Sequence, residues 1–229
     1  MRNRAILGTL VFTSFAVYSA LRSPVPGVNE PHYLAKAKHF WQPDWCRGDL
    51  FLESSNPHLV FYYTFGRLAH WFPLAQAAWI GRAIGLALLA FGWSRFLRKL
   101  VPTSRAALWA TWLYLALAAC GNFSGEWIIG GIEAKVIAYG LDFLALAFVL
   151  EHRWTAAALC GGLAVSFHPV VGLWIAICSF FASVFVLAVP CPVSPADSEA
   201  RHRPATFAPA TMRQAGPATA AFVLGSLPG

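Results

Sequence analysis

The stretch Thr155–Val189, TAAALCGGLAVSFHPVVGLWIAICSFFASVFVLAV, contains no Asp, Glu, Lys or Arg. A helix crosses a bilayer with ~20 mostly apolar residues, so this run is too long for one passage. His168-Pro169 falls near its middle, and the residue before a proline is biased out of the helical region. The run therefore predicts two helices, Thr155–His168 and Pro169–Val189, with a tight turn between them. Four further stretches are nearly as poor in charge: Ala5–Leu21, Ala75–Trp93, Ala106–Ala119 and Val136–Leu150. Together they predict an all-α, polytopic helical membrane protein with about six transmembrane helices. A partial seventh begins at Ala218 and reaches Leu227-Pro228-Gly229 before it could cross, which suggests the N-terminal portion of a longer chain.

Composition points the same way. The chain is 58% hydrophobic and 12% charged, with 10 Trp and 18 Phe among 229 residues. Soluble domains carry about a quarter of their residues as charges, so a water-solvated fold is disfavoured. The net charge of +7 forms no basic patch interleaved with aromatics, which argues against nucleic acid as a partner. Basic residues cluster instead at the ends of the apolar runs, where they report topology. Arg2 and Arg4 place the N-terminus in the cytoplasm, as do Arg95, Arg98, Lys99 and Arg105 for the next basic loop. Residues 22–74 and 120–135 then form extracytoplasmic loops, and 190–214, rich in Pro, Ser, Ala and Arg, a flexible cytoplasmic one. The aromatic segment His58–Phe72 contains Arg67 and His70 and is expected to lie as an amphipathic helix in the outer interface. Cleavage of the first helix as a signal peptide is disfavoured by Tyr18, a bulky residue where a small one is needed.

Five cysteines show no metal-type spacing, and only Cys46 and Cys120 fall where a disulfide is permitted. The common soluble motifs GxxxxGK[ST], HExxH and GxSxG are absent. Chemistry-bearing residues gather in the two outer loops. Asn29 is a good N-cap, and Pro31 suits a first turn, so a helix from Glu30 to Trp41 is expected. Glu30 stands at its start, where backbone N–H groups favour an anion. Its structural alternative is a first-turn acid that completes the cap.

The order of residues over roughly the first hundred positions resembles the GT-C polyprenyl-phosphate-dependent glycosyltransferases. The likeness rests on Asn29-Glu30 and Tyr33 after the first apolar helix, then Asn56-Pro57-His58, Tyr62-Tyr63, Phe65-Gly66 and Arg82 early in the second. It departs at Asn29, where many relatives carry Asp. The resemblance implies sugar transfer from a polyprenyl-phosphate donor on the extracytoplasmic face of the cell (inner) membrane, with the bilayer and the lipid-linked donor as partners. It implies Glu30 as the catalytic base or as a ligand of a divalent metal ion, the cofactor such a site would hold. His58 and Arg82 would bind substrate, an Arg suiting phosphate by its bidentate fork.

The second outer segment adds Glu133, Lys135 and, at the helical turn, His168 as further substrate-binding candidates. Gly130-Gly131 lets backbone approach a ligand closely. Glu133 and Lys135, two apart, would not face each other on a regular helix. Asp142, inside an apolar helix, calls for a partner or a cavity, and Arg82 is the candidate for a structural pair. A transporter or channel-like protein, or a membrane protein without catalytic activity, is the alternative. Its matching polar interruptions at mid-membrane are missing, since the polar residues crowd the outer ends.

Overall fold

A computed structural model describes residues 2–27, 29–121, 128–188 and 207–226. Among them the chain is helical throughout and has no strand. Ten helices follow in order: α1 (Arg2–Arg22), α2 (Glu30–Trp41), α3 (Leu59–Tyr63), α4 (Arg67–Trp71), α5 (Leu74–Leu100), α6 (Ser104–Cys120), α7 (Ala134–Leu150), α8 (Trp154–Phe167), α9 (Pro169–Ala188) and α10 (Phe207–Ser226). By length and composition, Ala5–Arg22 and Leu74–Leu100 are long and apolar enough to cross a membrane.

Each expected apolar run is helical, although among the described residues only the two just named are long and apolar enough to span, and the α8–α9 break falls at His168-Pro169. Two expectations need correction. His58–Phe72 is two short helices, separated at Thr64–Gly66. Thr64 leaves the helical region at φ −104 and ψ −90, and its hydroxyl donates to the Val60 carbonyl, closing α3. Residues 190–214 were expected as one loop, but α10 begins at Phe207 within them; residues 189–206 lie outside the described part.

Among the described residues seven helices, α1 and α5 to α10, alternate in direction. The C-terminal ends of α1, α6, α8 and α10 and the N-terminal ends of α5, α7 and α9 lie at the end of the bundle that carries α2–α4. Arg22 donates to Ala119 across the ends of α1 and α6, and Ser19 to Gly130 before α7. Phe65 meets Phe167 at 6.0 Å, and Ser166 bonds the Gly225 carbonyl. At the opposite end Arg95 of α5 and Glu151 after α7 pair at 2.6 Å, with Lys99 at 3.2 Å. The Arg95 hydrogen bond holds the Glu151 carboxyl below its ordinary range.

Two of the three apolar clusters among the described residues hold the site's foundation. One joins α1, α5, α6 and α7 through Leu7, Val11, Phe15, Leu89 and Val136. The other seats α2 and α3 on α5 and α7 through Leu34, Phe61, Tyr62, Ala78 and Ile137. Large apolar side chains also cover the outside of the bundle, among them Trp109, Leu117, Trp174 and Phe180, each more than 60% exposed.

Candidate functional site

The site grows from one buried ion pair. Glu30, the first residue of α2, is fully buried. Arg82, two turns into α5, grips its carboxylate from Nε (3.0 and 3.2 Å) and Nη2 (2.7 Å). Two backbone groups complete the shell, Gly27 N–H at 3.0 Å and Ile132 N–H at 2.8 Å. The guanidinium also donates to the carbonyls of Ser23 (2.6 Å) and Pro24 (3.1 Å). Both outer segments and the end of α1 are therefore tied to α5 through one charge pair. Such a pair stands or falls on complete hydrogen bonding, and this one is complete.

That geometry corrects two readings of the sequence. Arg82 is spent on Glu30 and does not pair with Asp142, whose Oδ2 is buried without a hydrogen-bond partner. The close approach allowed by Gly131 is to Glu30, since a Cβ there would sit 2.7–3.0 Å from its side chain. Asn29 precedes α2, but its side chain makes no cap bond, because its backbone is already near-helical at φ −91 and ψ 0.

Asn29 instead reaches the second outer segment. Its N–H and side-chain amide donate to the Glu133 carboxylate at 3.3 and 3.5 Å. Lys135 pairs with the same carboxylate at 3.4 Å, although the two residues are only two apart. The helical spacing argument fails because Glu133 is the N-cap of α7, extended at φ −141 and ψ 156. Burial pushes the Glu133 carboxyl up, opposed by the Lys135 charge. Asn122–Trp127, including Glu126, lie outside the described residues.

Beside this network a cleft of about 350 Å³ opens between α2, α3 and the loop joining them. Asn29, His32, Tyr33, Lys36, Ser54 and His58 are among its lining residues. Tyr33 stacks on His58 at 5.3 Å, and His58 on His168 at 5.1 Å. His168 thus supports the cleft from behind, from the α8–α9 turn. Burial lowers the His58 pKa, opposed by a hydrogen bond to the Phe167 backbone. Its Nδ1 is buried and unpaired. The ring is therefore a neutral hydrogen-bonding group at neutral pH, with Phe167 fixing its orientation. Burial holds the Tyr62 phenol up to about 12, which keeps its proton in place.

The structure brings His58, Asn29 and Tyr33 to the cleft and places Glu133, Lys135 and His168 next to it. Glu30 and Arg82 lie beneath and do not line it. Lys36 and Ser54 are lining residues that spacing had not singled out. Lys36 donates to the Phe51 carbonyl (2.8 Å), the Ser54 carbonyl (3.1 Å) and the Ser54 hydroxyl (2.6 Å), closing the loop onto α2. The signal was present: His32 and Lys36 are four apart and Tyr33 and Lys36 three apart, so all three share one face of α2.

Among the described residues no group of three His, Cys, Asp or Glu side chains converges as a ligand set. Both Glu30 oxygens are saturated by N–H donors, and Asn29 supplies no second carboxylate. The arrangement does not fit a divalent ion, which takes several oxygen ligands. Cys46 and Cys120 are both free. Comparison with protein-family models, with curated proteins and with solved structures finds no match to this chain.

Proposed function

We propose that the chain is a polytopic membrane protein whose α2 end faces the extracytoplasmic side. The large apolar side chains exposed on α1, α5, α6 and α9, among them Leu10, Phe91, Trp109, Leu117, Trp174 and Phe180, support this reading, because large exposed apolar surface marks a membrane or partner contact. A helix of 17 residues, the length of α6 and of α7, spans ~25 Å and suits a tilted or thinned bilayer crossing. The Arg95, Lys99 and Arg153 cluster lies at the opposite, cytoplasmic end.

Topology is tested by thiol labelling in intact cells, on a background without the native cysteines. A cysteine at Ser54 is expected to react with a membrane-impermeant reagent, while one at Arg98 is shielded until the membrane is opened. Labelling of Arg98→Cys from outside would invert the arrangement.

Within that frame the cleft is the place for a lipid-linked sugar, in keeping with the resemblance to GT-C glycosyltransferases. The observation that carries this reading is the meeting of His58, Tyr33 and Asn29 on the cleft with the Glu133–Lys135 pair that Asn29 contacts. A sugar presents hydroxyls and an apolar ring face, which an imidazole, a phenol and an amide bind together. A leaving phosphate asks for a cation, and Lys135, paired with Glu133 beside the cleft, supplies one. Proton removal from an acceptor falls to a neutral base, a role the His58 ring fits. Glu30 could take that role only if Arg82 withdrew from it.

The reading is tested with the protein in vesicles and a radiolabelled polyprenyl-phosphate sugar. Wild type is expected to bind the donor and, given an acceptor hydroxyl (water at the least), to join the sugar's anomeric carbon to that oxygen, release polyprenyl phosphate and pass the hydroxyl proton to the base. His58→Ala is expected to weaken binding by about tenfold, the worth of one hydrogen bond of about 1–1.5 kcal/mol. Intact donor or sugar accumulating inside the vesicles, without cleavage, would favour a transporter instead.

A further inference from the structure

Asp142 is the ionisable group that the functional reading leaves unused. It stands midway along α7, is 2% exposed, and its Oδ2 has no hydrogen-bond partner. It lines a groove of about 790 Å³ between α7, α8, α9 and α10, whose wall is otherwise almost wholly apolar. Small residues pave this wall, including Ala145, Ala157, Ala158, Gly161 and Ala218. In a bilayer, small residues let a second helix backbone approach closely, whereas fluid acyl chains need no such floor. An ionisable group inside the hydrocarbon calls for a partner.

No described residue of this chain fills that role. Arg82 is held by Glu30 and by the carbonyls of Ser23 and Pro24. Arg95 and Lys99 sit at the far end of α5 on Glu151. The small-residue floor argues for a helix, and the unpaired acid for a cation on it. We propose that the α7–α10 groove seats a transmembrane helix of a partner protein that carries one central lysine or arginine, with that cation meeting Asp142. The proposal rests on the reading that the chain spans a membrane.

The test uses the full chain in phosphatidylcholine vesicles and three acceptor-labelled leucine-alanine transmembrane peptides. Their central residue is Lys, Gln or Leu, and association is read by energy transfer from the labelled protein. The Lys peptide is expected to bind at least about tenfold more tightly than the Leu peptide, with Gln between them. Asp142→Asn should reduce the Lys peptide to the Gln level; Asp142 Oδ2 has no hydrogen bond to lose, so the fold should be kept. Asp142→Lys should move the preference to a peptide with a central Asp. Ala158→Trp, which fills the groove, should weaken all three.

Equal binding of the Lys and Leu peptides overturns the proposal and leaves lipid as the occupant of the groove. So does a Lys preference that survives Asp142→Asn. A chain that does not float with the vesicles overturns the membrane reading itself, an outcome distinct from a chain that floats and shows no preference.

Discussion

Replacing Arg82 by glutamine is expected to cost about 3–5 kcal/mol, the usual penalty for removing one partner of a buried ion pair. For a chain of this size that corresponds to a fall of roughly 6–20 °C in the unfolding midpoint, followed by intrinsic fluorescence in detergent. The reason is local. Without the guanidinium, Glu30 keeps only two backbone donors for a fully buried carboxylate, and the carbonyls of Ser23 and Pro24 lose their donor. Glu30→Gln is expected to cost a similar amount from the other side, by leaving Arg82 charged against a neutral amide. The double variant Glu30→Gln with Arg82→Gln should be markedly less unstable than the sum of the two, because neither leaves an uncompensated charge. Additive losses would mean that the pair is not a unit. Glu53→Gln serves as the control. It stands in the same loop and accepts an exposed bond from Gly48 N–H at 2.7 Å, so its cost should stay under about 1 kcal/mol.

The same variants sort the two roles open to Glu30. If it positions the cleft, donor cleavage should fall in step with stability and return when the double variant restores the fold. If it acts in the chemistry directly, a refolded double variant should stay inactive, since a general base contributes ~10²–10⁴-fold. The geometry favours positioning, because both carboxylate oxygens are committed to donors that belong to the fold.

Much of this architecture was legible in the chain. Helix ends followed from runs of apolar residues bounded by Arg, Pro and Gly, and the bounds of α2, Glu30–Trp41, were legible from Asn29 and Pro31 even though the Asn29 side chain makes no cap bond. The residues of the site were also legible, but their pairing was not. Arg82 was matched to Asp142 but pairs with Glu30, and nothing in one-dimensional spacing ranks acids that are both far away in sequence. The Glu133–Lys135 contact was missed for a different reason. It depends on an extended N-cap, and a periodicity argument assumes the helix has already begun. The split of His58–Phe72 turned on Thr64 and on Gly66, where a Cβ would meet the Tyr62 backbone at 2.6 Å and the Ala37 Cβ at 2.9 Å. That is a tertiary contact, and no aromatic pattern announces it.

Glycines in α5 show how packing sets the site's foundation, and Gly92 is the most exacting of them. A Cβ there would be driven into the Gly140 carbonyl oxygen and would lie 3.2 Å from the Phe143 Cβ. Gly140 is equally confined, with Leu88 Cγ at 2.9 Å and Leu89 N at 3.2 Å from a Cβ of its own. The obstacle is backbone on both helices, so no side-chain rotation can relieve it. Gly92→Val must therefore push α5 and α7 apart, at a cost of about 3 kcal/mol or more, the upper end for overpacking. The separation would strain the Arg95–Glu151 pair at one end, and at the other the bond from Ile132 to Glu30. Loss of stability and loss of donor binding are thus expected together from a residue that touches neither the cleft nor the ion pair. Gly8 provides the contrast, with nothing within 4 Å of an added Cβ. There alanine should be neutral or stabilising by up to about 1 kcal/mol, through helix propensity alone. If Gly92→Val melted like wild type, the close seam between α5 and α7 would be wrong, and with it the depth at which Arg82 meets Glu30.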